Sequence, residues 1–372
     1  MILPSTSEPR LHRIRIGIAG AGLWAERAHV PSFSRLPEID IVAVADPDQN
    51  RAASLADRVS GCKVFRDAHT MLSAGLDAII IATPEDTHYA VARAAIESGV
   101  HVLCEKPLAR TVDEARGLAE LAARSNVITK IGFVLRYSPA MRQLKQLVDS
   151  GYTGKIHSFV FSNNFPQFFF PNEPFHWVMD AARTGGGAFM EYGCHGLDLA
   201  RWLVGEIDEI CANAVTLVQE RADPVSGAMR RITVDDVCSW LGRFEDGGEG
   251  QFHVSWSSLP GFGFQVAVTG EKGTLGWRMT KSWPFAEVLG CRDPDGEFQP
   301  ISIDEAFTEG TDGAATWRDC FAAGQARRFR DEIASGRIPE GPDFADGLAN
   351  QFALEAISRS LNDRCWTSVE RR

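Results

Sequence analysis

Residues 14–25 read Ile14-Arg15-Ile16-Gly17-Ile18-Ala19-Gly20-Ala21-Gly22-Leu23-Trp24-Ala25. A β-branched apolar run gives way to closely spaced glycines and then to a segment of helical character. The pattern describes a strand that turns tightly into a helix. Gly20 tolerates the turn's backbone, Gly22 lets another molecule approach the main chain, and small Ala25 lets helix and strand pack closely. The helix points unsatisfied N–H groups and its positive dipole end at whatever occupies the turn, which suits the pyrophosphate of a dinucleotide. Contacts from this loop are expected from Gly20, Gly22, Leu23 and Trp24.

A second apolar run, Ile39–Ala45, ends in Asp46, 26 residues beyond Gly20. An acidic side chain at that strand end takes both ribose hydroxyls and repels a 2′-phosphate, so NAD is expected ahead of NADP. Arg51 stands close enough to soften that preference. Strand-like runs continue at Ala78–Ala82, Val100–Cys104 and Val127–Phe133, with helical patterns at Gln49–Val59, Thr87–Ser98 and Thr111–Ser125 between them. Such alternation predicts an α/β Rossmann-type domain, a doubly wound parallel sheet covered on both faces.

The pattern changes after Phe133. Helices are expected near Pro139–Ser150, around His195, and at Thr316–Ser335 and Asp343–Asn362. Strands are expected at Lys155–Phe161, Glu209–Val218, Asp236–Phe244, Gly250–Ser257, Phe264–Thr269 and Gly273–Arg278, joined by short glycine-bearing turns. Successive strands with short turns predict an α+β domain with a large, mainly antiparallel open sheet. The expected organisation is a loose arm over residues 1–10, a dinucleotide-binding domain over 11–135 and a substrate-binding and oligomerisation domain over 136–372.

Length and composition narrow the function classes. At 372 residues the chain exceeds one compact core. Its formal charge of −11, without a basic stripe, excludes nucleic acid as the expected partner. No apolar run is long enough to span a membrane, and the first residues lack the apolar core of a secretory signal. Eight scattered cysteines with no close pair offer neither a zinc site nor a redox pair, and fit buried thiols in the cytoplasm. No metal is expected.

Two clusters carry chemistry. Cys104-Glu105-Lys106-Pro107 closes the fifth strand pattern and holds a lysine at the crevice where open parallel sheets bind ligands. Gly185-Gly186-Gly187 precedes a stretch with Glu191 and His195, which share one face of a helix at a spacing of four. Histidine titrates near neutrality and suits proton exchange between an alcohol and a carbonyl, while a carboxylate one turn away can orient it or hold substrate.

Taken together, the Gly20-Ala21-Gly22 turn, Ala82-Thr83-Pro84 with His88, Gly99-Val100-His101-Val102 leading into Glu105-Lys106-Pro107, Arg136-Tyr137-Ser138-Pro139 and the Gly185–His195–Asp198 block resemble the glucose–fructose oxidoreductase, inositol dehydrogenase and rhizopine-catabolism (Gfo/Idh/MocA) family of NAD(P)-dependent oxidoreductases. The resemblance spans nearly the whole chain. It implies hydride transfer between nicotinamide and a secondary alcohol or ketone of a sugar, polyol or glycoside, with Lys106 and His195 catalytic. Glu191 is a third catalytic residue, standing where the family usually has aspartate. Thr83, Pro84, His88, Glu105 and Lys106 join Asp46 and Arg51 as implied cofactor contacts. Arg136 and Tyr137 are expected in the substrate cleft beside Lys106, Glu191 and His195. The aromatic-and-amide segment near Asn164, His176 and Trp177 reads equally as carbohydrate pocket or packing loop. A homodimer or homotetramer is expected, and a non-catalytic dinucleotide-binding regulator of the same fold is the competing reading.

Overall fold

The computed structural model describes residues 13–259, 263–279, 286–311, 314–336 and 341–371. The arm expected over residues 1–10 lies outside them. Six strands, β1 (Ile14–Ala19), β2 (Ile39–Ala45), β3 (Lys63–Phe65), β4 (Ala78–Ile81), β5 (His101–Cys104) and β6 (Thr129–Ile131), form one sheet ordered β3-β2-β1-β4-β5-β6, parallel throughout. The intervening helices are α1 (Val30–Ser34), α2 (Gln49–Ala56), α3 (Ala68–Leu72), α4 (His88–Glu97) and α5 (Val112–Ala123). Ile16, Ile18, Ile79, Ile80 and Ile81 are buried without residual exposure, because helices cover both faces. Strand order reverses between β1 and β4, so a crevice opens beyond their carboxyl ends.

After α6 (Pro139–Asp149) the chain enters a second sheet with β7 (Ile156–Asn164), crosses α7 (Ala181–Thr184) and α8 (Cys194–Leu203), and continues through β8 (Ile207–Val215), the small hairpin β9 (Glu220–Ala222) and β10 (Met229–Arg231), β11 (Val237–Phe244), β12 (Glu249–Ser255), β13 (Gly263–Gly270), β14 (Gly273–Met279), β15 (Glu287–Cys291) and β16 (Gln299–Ile301). Helices α9 (Glu305–Thr308), α10 (Trp317–Ser335) and α11 (Phe344–Asp363) precede β17 (Thr367–Ser368). The nine-stranded order is β16-β15-β14-β13-β7-β12-β11-β8-β17, antiparallel except for the parallel pair β7 and β12. Helix α8 lies close on this sheet. A Cβ at Gly196 would come 2.5 Å from the Phe161 ring, so only glycine fits there.

The last long helices return to the first sheet. Phe329 of α10 meets Phe33 edge-on at 6.4 Å, and Ile131 N–H donates to the Pro342 carbonyl just before α11. Lys130 of β6 and Glu332 of α10 form a buried ion pair at 2.8 Å. The carboxy-terminal chain thereby closes one side of the dinucleotide fold. Sequence patterning missed β3, β9, β10 and β15–β17, which are short or lie at edges and carry too few alternations to register.

Candidate active site

The glycine turn has the geometry its residues imply. Gly20 sits at φ +93°, and a Cβ there would come 2.4 Å from the Ala82 carbonyl oxygen, so β1 and β4 can approach only with glycine. Gly22 differs, because a Cβ there meets nothing within 4 Å. Its backbone faces open space at the head of the crevice. Asp46 is buried beside this loop. Its Oδ2 accepts from Ala21 N at 2.9 Å, its Oδ1 accepts from Asp48 N at 2.8 Å, and Arg51 reaches the same oxygen at 3.0 Å. One carboxylate therefore holds both the glycine loop and an exposed guanidinium. Leu23 is exposed, while Trp24 packs against Trp317 of α10 with centroids 6.0 Å apart. The cradle, the small residues and the acidic strand end fit a nicotinamide dinucleotide.

Lys106, just beyond β5, meets Glu191 from the other half of the chain. Its Nζ lies 2.9 Å from Glu191 Oε1 and donates to the Glu191 carbonyl oxygen at 3.2 Å. The Lys106–Pro107 peptide is cis. Burial disfavours the ammonium, but the negative field around it, led by Glu191, outweighs burial and raises its pKa. Glu191 lies in a wide π-helical turn, Phe189–Gly193, that precedes α8. Glu191 is therefore engaged with the lysine, and no hydrogen bond joins it to His195 among the described residues. His195 is buried, with Nδ1 lacking a hydrogen-bond partner. Burial first, then the Lys106 ammonium, hold its pKa well below the ordinary histidine value, so the imidazole is neutral. A neutral ring within the field of a fixed ammonium can accept a proton from a hydroxyl that the ammonium holds.

Motif reading passed over Glu85. It opens the turn Glu85–Thr87 that links β4 to α4, and it is buried at 5% exposure with Oε2 unpartnered. Burial, and next the Glu191 carboxylate, push its pKa up to about 7, while Lys106 pulls the other way. The next residue, Asp86, pairs with Arg183 at 3.3 Å, and the Arg183 guanidinium lies over the Trp177 ring at 5.3 Å. His176 follows in the same wall, its ring 5.8 Å from Phe168. Tyr192 donates to Gln167 across from it. The aromatic segment thus folds over the Glu85 turn beside Lys106 and Glu191.

Several expected contacts are spent elsewhere. His88 is buried, with Nδ1 2.9 Å from the Pro107 carbonyl and Nε2 2.9 Å from the Thr83 carbonyl. It ties the Thr83-Pro84 segment to the Lys106-Pro107 segment and does not face the crevice. Glu105 is occupied by His29, whose Nε2 lies 2.9 Å from Oε1, and its Oε2 accepts from Lys106 N at 3.3 Å. That carboxylate fixes the strand end. Arg136 is bound at 2.9 and 2.5 Å by Asp198 and at 3.0 Å by Asp346. It is a buried structural fork, so its placement in the substrate cleft is corrected. Tyr137 is corrected likewise, since it lines a separate cleft with Arg142, Phe307, Arg327 and Gly341. The Asn164 amide donates to Ser162 Oγ at 2.5 Å, within its own strand end. Its neighbour Asn163 is fully buried with both amide atoms unpartnered.

A glycine cradle at a parallel-sheet switch point, an acidic strand end, and a lysine and histidine contributed by two halves of one chain define a nicotinamide-dinucleotide oxidoreductase of Rossmann type. Residues 14–133 match the model described as oxidoreductase family, NAD-binding Rossmann fold, and residues 141–276 match the GFO/IDH/MocA C-terminal domain. Inositol 2-dehydrogenase 3 of Saccharopolyspora erythraea is 31% identical, the alignment covering 94% of this chain and 93% of that protein. Levoglucosan dehydrogenase of Pseudarthrobacter phenanthrenivorans is 29% identical over 96% of this chain and 99% of its own. The crystal structure of an oxidoreductase domain protein from Kribbella flavida superposes with a TM-score of 0.87 at 27% identity, covering 97% of this chain and 100% of that one. The chain belongs to the Gfo/Idh/MocA oxidoreductase family.

Proposed function

We propose that the protein is a dehydrogenase acting on a secondary alcohol of an uncharged sugar, polyol or glycoside, with NAD favoured over NADP. The Lys106–Glu191 contact carries this reading. An ammonium has three N–H donors, and Glu191 engages two of them, at 2.9 and 3.2 Å. The third is left for a substrate oxygen. When bound, the nicotinamide supplies the hydride acceptor. Lys106 then holds the reacting hydroxyl and stabilises negative charge as it develops on oxygen, while neutral His195 receives the hydroxyl proton. Glu191 keeps the ammonium charged and aimed, and its second oxygen is available to a neighbouring hydroxyl.

Two similar proteins bear the names of inositol and levoglucosan, both polyhydroxylated and uncharged, which supports the substrate class. A non-catalytic regulator has no use for a charged lysine and a buried neutral histidine within its electrostatic reach. The buried Asp46 carboxylate supports NAD, because a 2′-phosphate placed there meets its charge. Self-association through the open face of the nine-stranded sheet fits the exposed Val160, Val215 and Leu241. The test is nicotinamide absorbance during incubation with NAD or NADP and a panel of neutral polyols, sugars and glycosides. Reduction of NAD by at least one of them is expected, and no reduction across the panel would overturn the reading.

A further inference from the structure

Arg221 is the largest charged side chain that the structure buries completely, and the chemistry at Lys106 makes no use of it. It stands in β9, which pairs only with β10 in a hairpin apart from both large sheets. Two strands of three residues have no core of their own, so other contacts must hold the hairpin. The guanidinium supplies them by reaching into the aromatic segment that follows β7. Its Nη1 donates to the carbonyl oxygens of Phe170 at 2.6 Å and Glu173 at 3.1 Å, and its Nη2 donates to the Phe168 carbonyl at 2.7 Å. Among the described residues, its one carboxylate neighbour within ion-pair range is Glu173, at 3.8 Å. The buried charge is therefore accommodated chiefly by three carbonyl dipoles, which a rigid fork of N–H donors can meet together.

This cage fixes a stretch that cannot fix itself. Residues 165–176 contain no helix or strand, so their carbonyls lack the regular partners of a sheet or helix. The hairpin adds two ties: Phe175 N–H donates to the Ala222 carbonyl at 2.8 Å, and the Arg230 guanidinium of β10 lies 3.9 Å over the Phe175 ring. On its other side the segment meets the active-site turn. Tyr192, which directly follows Glu191, donates to Gln167 and stands edge-on to Phe165 with centroids 6.3 Å apart. Gln167 and His176 are exposed, so this face is open to a ligand.

We propose that Arg221 is a positioning residue that sets the substrate-facing wall of the cleft. It holds residues 168–173 in one curve, so that Gln167, His176 and Trp177 keep a fixed relation to the turn bearing Glu191. No hydrogen bond or ion pair joins Arg221 to Lys106, Glu191 or His195 among the described residues. Its influence falls on how the substrate is held and not on the proton or hydride. The inference rests on the dehydrogenase reading and adds a specificity device to it: a preorganised wall recognises the part of a sugar or polyol remote from the reacting carbon.

The test compares wild type with Arg221→Met, which keeps much of the volume without charge or donors, and Arg221→Lys, which keeps the charge. Kinetics use a polyol or sugar that the wild type oxidises. NAD affinity is followed by fluorescence quenching, folding by melting temperature, and the segment itself by amide hydrogen exchange. In Arg221→Met, KM is expected to rise about tenfold with kcat within about threefold and NAD affinity unchanged. Amides of residues 165–176 should exchange about tenfold faster or more, while those of β1 and β4 keep their rates. Arg221→Lys should return KM to within about threefold of wild type. A folded Arg221→Met protein whose KM stays within about twofold of wild type overturns the inference. So does a loss shared by kcat, NAD affinity and melting temperature without rescue by lysine, which marks a general scaffold role. Should Arg221→Met fail to fold, Arg230→Ala decides from an exposed position on the same hairpin: a KM raised about threefold upholds the inference, and an unchanged KM overturns it. A wild type that oxidises no polyol would instead remove the dehydrogenase reading, while the exchange rates still report whether Arg221 holds the segment.

Discussion

Lys106 Nζ lies 2.9 Å from Glu191 Oε1, although 85 positions separate the two residues. This contact joins the end of the first sheet's fifth strand to the wide turn that precedes the long helix on the second sheet. Lys106→Ala is expected to lower kcat by about a hundredfold to ten-thousandfold while NAD affinity, followed by fluorescence, changes little. Full turnover in that variant would end the assignment.

Removing Glu191 exposes the opposing forces on the lysine. Its carboxylate is the largest influence raising the Lys106 pKa against burial, so Glu191→Gln lowers that pKa and the ammonium loses its proton at lower pH than in the wild type. The alkaline limb of the kcat/KM profile for alcohol oxidation therefore moves toward neutrality. Glu191→Asp, with the charge kept and the reach shortened, should restore part of the high-pH activity.

His195 is neutral because burial and Lys106 depress its pKa. Its work as a base is lost only when the ring is protonated, so the acidic limb for oxidation lies below the ordinary histidine range. Replacing Lys106 by the neutral, similarly long methionine removes the repelling charge and raises the His195 pKa. The residual activity of that variant should then fail at higher pH than wild type does. A limb that stays in place would show that the two groups are uncoupled.

The two glycines of the turn separate stability from ligand binding. Gly20→Ala forces a Cβ to 2.4 Å from the Ala82 carbonyl at φ +93°, and should destabilise the fold by about 1–3 kcal/mol in chemical denaturation. Gly22→Ala meets no atom within 4 Å and should melt like wild type, yet bind NAD at least tenfold more weakly, because its methyl enters the space reserved for phosphate.

Asp46→Ser is expected to shift the ratio of kcat/KM for NAD over NADP by tenfold or more toward NADP. It removes the carboxylate that Arg51 meets at 3.0 Å and leaves that exposed guanidinium, still 3.4 Å from Asp48, able to turn to a 2′-phosphate. Asp46→Ser with Arg51→Ala should bind both cofactors weakly.

Arg136 offers a contrasting case. Arg136→Ala leaves Asp198 buried without its cation and should cost about 3–5 kcal/mol of stability, with KM for substrate nearly unchanged in the protein that remains folded.

The local signals at residues 14–25 and around Asp46 were readable because turn chemistry and strand periodicity act over a few residues, and β1, β2 and the glycine turn form where those signals lie. Lys106 and His195 were readable as candidates by their settings. Glu191 was readable as a residue, but its partner was not: a spacing of four suggested His195, whereas the wide turn and the approach of β5 give it to Lys106. Arg136 and His88 carried the same polar signature as true ligand contacts. Only the arrival of Asp198 and Asp346, or of two backbone carbonyls, revealed that their hydrogen-bonding capacity was already used. Glu85 gave no sequence signal, because an acid after Thr-Pro looks like any solvated turn.

The order of residues alone determined the parallel sheet, its glycine cradle, the acidic strand end and a second, strand-rich half, since each follows from backbone preference and hydrophobic period. Which polar side chains remain free for chemistry was decided by tertiary structure. Burial and partner choice depend on segments distant along the chain, and a charge becomes available or committed only when those segments meet.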